Sequence, residues 1–409
     1  MIIACSKLLY RQHTTRLIND GALVIRRGII VEIGPSNTII QRYPSHRIMK
    51  IDNAFLIPGL INIHTHLELP PLLTEIHLNN FSDWIINLIL QKKKLGVNHY
   101  RDAVQINIHT VAESGVTTIA EICTHKVSPE YLKLSGLRAY IFNELICMSQ
   151  QLAFCSIQGN QRRTNLLQSG LSPHSPFTVT EPLLKQLDRL CKKKSFIISM
   201  HISESRDEIR LLQRKKSGLE KIYKFAGWDL DWAPHGSSSI EYLQRIGFLS
   251  PNLLAVHAVQ VSDADIALIK KHRVSIAHCP RSNKNLGVGR MPLKKMLDAG
   301  ITVGLGTDSL ASVPTLNMWD EMRYALKIHK KDGVTAEDIF KIATIGGAKA
   351  LGLDKEIGTL EPGKKADIIA VPLPKKNTGD IYSDLIRETK SSIMTMVNGK
   401  ILWNKCSDF

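Results

Sequence analysis

Between residues 54 and 309 the chain repeats one texture, a continuous apolar run followed in most cases by a helix-like amphipathic stretch. The runs are 55–69, 115–122, 137–145, 169–178, 195–204, 252–259, 274–280 and 301–309. A strand that is apolar throughout, not only at alternate positions, is buried on both faces. That is the condition of a parallel sheet covered by helices. Eight such strands predict an α/β fold of the (β/α)8 TIM-barrel type. The intervening helices are expected at 80–94 (capped near Ser82), 100–113, 180–194, 205–225, 262–271 and 292–299. Helices at 315–329 and 335–350 close the ring.

The two ends read differently. Residues 22–34 are two β-rich runs across a turn at Arg27-Gly28, Ile48–Ile51 is a further short strand, and no helix is expected before residue 54. After Leu351 a turn-rich β segment (357–371) precedes a hairpin (391–403) turning at Asn398-Gly399, a strong hairpin signal. Neither end is long enough to fold alone. The economical arrangement is one small β-sandwich formed by both termini (1–53 plus 357–409), with the barrel (54–356) inserted between them.

Lys+Arg 53 against Asp+Glu 37 gives a formal charge of +16. The basic residues fall in short scattered runs (Lys92–Lys94, Lys192–Lys194, Arg214–Lys216) without interleaved aromatics, so no nucleic-acid partner is expected. An anionic substrate stays open. The cysteines, 7 in number and without Cys-x-x-Cys pairs, point to a reducing compartment. The N-terminus lacks a signal-peptide pattern, and no apolar run reaches the length of a membrane span. A cytoplasmic protein with no membrane partner is expected.

Catalytic groups of such barrels sit at the C-terminal ends of the strands. Strand one ends in His64 and His66, which share a face because extended side chains alternate. Strand four ends in His174, strand five in His201 and Glu204, strand six in His257, strand seven in His278 and strand eight in Asp308. Three imidazoles (His64, His66, His201) and the Asp308 carboxylate suit a borderline divalent ion, Zn2+ first, with Fe2+ or Mn2+ as alternatives. Such an ion lowers the pKa of a bound water toward ~7. Glu204 and His257 are the candidates for moving protons, His257 reading also as a buried histidine satisfied by backbone. His278 reads equally as a structural residue of the loop that Cys279-Pro280 begins. Glu68 faces the same way as His66 if the strand continues, and otherwise is a solvated loop carboxylate. Trp84 reads first as core.

The motifs together resemble the amidohydrolase superfamily, in the branch of chlorohydrolases, cytosine and guanine deaminases, and methylthioadenosine/S-adenosylhomocysteine deaminases. They are Pro-Gly-Leu-Ile-Asn-Ile-His-Thr-His (58–66), Ser-Pro-His-Ser-Pro (172–176), His-Ile-Ser-Glu (201–204), Val-His-Ala (256–258), Ile-Ala-His-Cys-Pro-Arg-Ser-Asn (276–283), Gly-Leu-Gly-Thr-Asp-Ser (304–309) and Gly-Thr-Leu-Glu-Pro-Gly-Lys-Lys-Ala-Asp (358–367). The resemblance implies one metal held by His64, His66, His201 and Asp308, with Glu204 and His257 as the proton-handling pair and His174 touching substrate; in the mechanism expected, Asp308 joins His257 in orienting the water and accepting its proton. Within the branch the chain is most similar to the 6-amino-6-deoxyfutalosine deaminases of menaquinone biosynthesis, through His-Thr-His-Leu-Glu-Leu (64–69), Phe-x-x-Trp (81–84), His-Ile-Ser-Glu-Ser (201–205), the segment 234–243 and the segment 315–323. Methylthioadenosine-type relatives carry a glutamate after the first-strand tryptophan helix that binds ribose hydroxyls. None follows Trp84 here, which turns attention to Glu68 for a substrate hydroxyl.

The expected function is therefore hydrolytic deamination of the adenine ring of a 5′-modified adenosine-like substrate, aminodeoxyfutalosine in first place. The substrate contacts expected are Glu68, Trp84, His174, His278 and Ser309, and Arg162, Arg163 or Arg281 would suit an anionic 5′ group. Alternatives are a methylthioadenosine/S-adenosylhomocysteine or guanine-type deaminase, a triazine chlorohydrolase, and a non-catalytic scaffold. The branch often forms dimers, so the resemblance also points to a homodimer.

Overall fold

In the computed structural model, residues 1–11, 15–70, 80–146 and 166–405 are described. Strands β1 (Ile2–Arg11), β2 (Thr15–Arg26), β3 (Ile29–Pro35) and β4 (Ile48–Pro58) come first. Then follow β5 (Leu60–His66), β6 (Val116–Cys123), β7 (Arg138–Leu145), β8 (Leu167–Pro173), β9 (Ile198–Ile202), β10 (Leu253–His257), β11 (Ser275–His278), β12 (Val303–Leu305) and β13 (Asp308–Ser309). Last are β14 (Ile368–Pro372), β15 (Met394–Val397) and β16 (Lys400–Asn404). Two sheets result. One is mixed and seven-stranded, in the order β16-β15-β14-β4-β1-β2-β3, and joins the two termini. The other runs β12-β11-β10-β9-β8-β7-β6-β5-β13. Its described pairs are parallel, and β13 continues β12 to pair with β5, Asp308 opposite Thr65, closing an eight-position barrel.

The apolar runs explain the barrel. Residues of β6, β9 and β10 are buried along their whole length. Side chains pointing inward (Ile61, Ile63, Ile122, Phe142, Val256) form one cluster, and those pointing outward join the larger cluster under the helices. The terminal sheet is tied to the barrel by a buried bidentate pair, Arg138 to Asp367 at 3.0 and 3.1 Å. Both predicted hairpin turns are formed, with positive φ at Arg27 and Gly28 and at Asn398 and Gly399. They touch: a Cβ on Gly28 would lie 2.6 Å from the Asn398 carbonyl oxygen, so this crossing needs glycine.

Several helices differ from expectation. A short helix, Ser36–Arg42, lies where none is expected. The expected helix 205–225 is two, Arg206–Leu212 and Glu220–Ala226, separated by Arg214 at φ 55 and a turn at Ser217-Gly218. The expected 335–350 helix is interrupted by a π turn at Ile342–Gly346. There Gly346 packs against the Val303 carbonyl so closely that no side chain fits. The helix Phe81–Lys92 is capped by Asn80, whose Oδ1 accepts from Asp83 N at 2.9 Å; Ser82 donates instead to Asp207. Among the described residues no helix is long and apolar enough to cross a membrane.

Candidate active site

The barrel brings the strand-end residues into one cavity of about 510 Å3, which His66, Glu204, His257 and Asp308 line together. At its floor the ring nitrogens of His64, His66 and His201 all lie within 4.8 Å of one another. Asp308 Oδ1 is 3.7 Å from His64 Nε2 and 3.6 Å from His66 Nε2. Its other oxygen accepts from Ser282 Oγ at 2.5 Å and Ser312 Oγ at 3.0 Å, which aims Oδ1 at the imidazoles. His201 Nδ1 lies 2.8 Å from the His174 carbonyl, so it carries the proton and Nε2 is left for the centre.

His64 is fully buried, yet neither ring nitrogen has a hydrogen-bond partner among the described residues. Buried polar atoms without partners are rare. Three imidazoles around a carboxylate are a donor set that fits a divalent cation. Burial, with smaller contributions of both signs from its neighbours, holds the His66 imidazole down at about 4, and that of His257 likewise at about 4. Burial would raise the Asp308 carboxyl, but His64, His66 and His257 outweigh it and hold it well below the carboxylate range. His66, and His201 with it, are thus held as neutral rings beside the Asp308 carboxylate, the form in which such groups bind metal.

Beside the floor, Glu204 Oε1 is 3.5 Å from His257 Nε2. Burial, then the charges of Asp308 and Glu208, push the Glu204 carboxyl well above its ordinary range. His257 Nδ1 pairs with the Asn283 side-chain oxygen at 2.8 Å, which puts the proton on Nδ1 and leaves the Nε2 lone pair free. The backbone here is bent to shape: Ser203, His257, Ala258 and Asp308 all have positive φ. Such residues cost about 1–3 kcal/mol each and cluster at functional sites. Glu208 holds one of these bends, accepting from the Ser203 and Glu204 amides at 2.8 Å each.

Of the remaining candidates, Trp84, His174 and Ser309 line the cavity. Glu68 does not. Strand β5 ends at His66, the chain turns, and the Glu68 carboxylate swings under the loop after β6. There it accepts from the amides of Thr124, His125, Val127 and Ser128 at 2.5–3.0 Å. Its lone pairs are committed, so the expected substrate-hydroxyl contact is corrected to a loop anchor. His278 is also withdrawn from the cavity, its Nε2 3.2 Å from His329 Nε2 and its side chain fully buried. Arg281 turns away to Thr315, Asp320 and Glu321. Arg162 and Arg163 lie outside the described residues.

Among the described residues the cations on the cavity wall are Lys92 and Lys93, beside Phe81, Phe177, Phe225 and Trp228. Asn283, Ser282 and Glu208 escaped sequence reasoning because they act through other residues. Glu144, also on the wall, could have been found. It stands at the end of β7, where the strand-end argument applies as it does to the histidines.

The amidohydrolase family model matches residues 55–402. The 5-methylthioadenosine/S-adenosylhomocysteine deaminase of Pelotomaculum thermopropionicum is 27% identical, over 99% of this chain and 93% of that protein. The 5′-deoxyadenosine deaminase of Methanosarcina barkeri is 28% identical, over 94% and 88%. Among solved structures, Helicobacter pylori aminofutalosine deaminase superposes with a TM-score of 0.85 at 25% identity, covering 98% of this chain and 99% of that one. An adenosine deaminase from Xanthomonas campestris with bound zinc gives 0.84 at 24% identity, covering 98% and 92%.

Proposed function

The chain belongs to the amidohydrolase family, and from that premise we propose that it is a metal-dependent deaminase of adenine nucleosides, with aminodeoxyfutalosine as its substrate and futalosine as its product. The observation that carries the proposal is the facing pair in one cavity: the Glu204 carboxyl, which burial pushes well above its ordinary range, and the free ring nitrogen of His257, 3.5 Å apart, beside the three-histidine cluster.

His64, His66, His201 and Asp308 would hold the ion, zinc by donor chemistry. When bound it supplies a water acidic enough to attack at neutral pH. The protein does the rest. An amidine carbon is a poor electrophile until its neighbouring ring nitrogen is protonated, and Glu204 is the group able to give that proton. His257 Nε2 accepts a proton from the attacking water, and Asn283 keeps the ring turned so that this nitrogen faces the site. As the carbon–nitrogen bond breaks, the hydroxyl on that carbon gives up its remaining proton. Glu204, emptied in the first step, relays it to the departing nitrogen, and ammonia leaves. The proton held by His257 then returns to Glu204. His174 and Trp84 border the ring pocket. The aromatic wall suits an aryl 5′ substituent, and Lys92 and Lys93 suit a carboxylate upon it. This supports aminodeoxyfutalosine over neutral 5′ groups, and with that substrate a role in menaquinone biosynthesis.

The relatives at 27–28% identity favour a second reading, a deaminase of methylthioadenosine or S-adenosylhomocysteine. An ammonia-release screen decides between them. Aminodeoxyfutalosine should give the highest kcat/KM, ahead of S-adenosylhomocysteine, methylthioadenosine, 5′-deoxyadenosine, guanine and a chlorotriazine. A higher value for a neutral 5′ group would overturn the substrate. No ammonia from any nucleoside by protein carrying its ion would overturn the activity.

A further inference from the structure

Three carboxylates line the cavity among the described residues: Glu204, Asp308 and Glu144. The first two are accounted for by the chemistry above. Glu144 is not, and its setting is specific. Its Oε2 accepts from Thr124 Oγ1 at 2.6 Å. Its Oε1 has no hydrogen-bond partner, and no cation comes within ion-pair distance of the carboxylate, among the described residues. Thr124 is in turn fixed by Glu68, which accepts the Thr124 amide at 2.9 Å. The chain Glu68–Thr124–Glu144 thus holds one rotamer with one oxygen left over.

An ionised carboxylate only accepts hydrogen bonds. Half-buried on a largely apolar wall, it needs donors that the protein does not supply, so the substrate should. It is not part of the histidine cluster, and it makes no contact with Glu204 or His257 that would give it a share in proton transfer. On a nucleoside the hydroxyls of the ribose are the donors, and a vicinal pair matches a carboxylate with an oxygen to spare.

We infer that Glu144 recognises the ribose hydroxyls of the substrate, with Thr124 as its positioning residue. The inference rests on the nucleoside reading above. It moves the hydroxyl contact to strand three of the barrel.

The test measures kcat/KM of the zinc-loaded wild type, Glu144→Ala and Glu144→Gln on adenosine, 2′-deoxyadenosine and 3′-deoxyadenosine. A site built to hydrogen-bond a hydroxyl rejects the analogue lacking it by several powers of ten, and loss of one bond to a charged acceptor costs about 10–150-fold. Wild type should therefore prefer adenosine over at least one deoxy analogue by about 100-fold or more. Both variants should shrink that ratio to within about 5-fold, chiefly by raising KM for adenosine, with zinc content unchanged. Glu144→Gln keeps the side-chain volume and so guards against a folding defect. A ratio unchanged in both variants overturns the inference while leaving the deaminase reading intact. A wild type that carries zinc yet deaminates neither these three nor any nucleoside of the screen above overturns both.

Discussion

Glu204→Gln removes one proton and little else. The amide has the size of the carboxyl, and the residue's backbone amide still donates to Glu208. The cluster His64, His66, His201 is untouched, so the ion content should equal that of wild type. What disappears is the acid. A positioned general acid contributes about 10²–10⁴-fold, equivalent to about 3–5 kcal/mol of barrel-bound transition-state stabilisation. The upper half of that range is expected, because an amidine carbon becomes electrophilic chiefly through protonation of its ring nitrogen. The assay is initial-rate ammonia release on the substrate found by the screen, with ion content measured on the same preparation. A pH profile gives an independent readout. Burial holds the Glu204 carboxyl well above its ordinary range, so the alkaline limb of the wild-type rate should report its loss of a proton. The variant should lose that alkaline limb. A variant that keeps its ion and works at the wild-type rate, or retains the same limb, would refute the assignment.

Other outcomes follow from the same geometry. His66 and His257 are held at about 4, so between the ordinary histidine pKa and that value the unfolded chain binds more protons than the folded one. Stability should therefore fall as pH drops from about 6.5 toward 4, read as a falling Tm, with the ion released in the same window. Glu68→Ala strands four amides, that of Ser128 buried and the other three half-buried, and should lower stability by about 3 kcal/mol in urea titration, against a smaller change in KM. Asn283→Ala frees the His257 ring and should cut kcat about 10-fold with the ion retained; an unchanged kcat would show that the ring is oriented by something else. Gly346→Ala drives a methyl into the Val303 carbonyl and should cost about 1–3 kcal/mol by the same titration.

The barrel was legible because its strands are buried on both faces and so are written as unbroken apolar runs, as in β9 and β10. The site was legible because polar residues interrupt those runs at one end only. What escaped depends on the path of the chain between elements. Glu68 follows His66 by two residues, which fixes its direction only while the strand continues, and the strand stops at His66. The helix Ser36–Arg42 has two turns, too few for periodicity to declare itself. Charged residues carry helical spacing straight through 205–225, and Arg214 at φ 55 breaks it without any proline to announce the break. Asn283 and Ser282 serve residues on other strands, and such partnerships have no spacing in sequence.

The barrel's last strand is broken, and its final piece, β13, is two residues long. Those two residues are the seam: Asp308 and Ser309 pair with Thr65 and His66 on the first strand. The residues that would hold the ion come from both sides of that seam and from β9 opposite. The ion's site therefore comes into being only after translation of the last strand, when the two ends of the barrel have met. Contacts of such long sequence separation form late. An ion bound there clasps first strand to last, and its binding free energy adds directly to the cost of reopening the ring. Newly made chain in a metal-poor cell would then carry a short, weakly latched edge beside β5, and exposed strand edges are where aggregation and proteolysis begin. The abundance of this enzyme should track metal supply as closely as its turnover does.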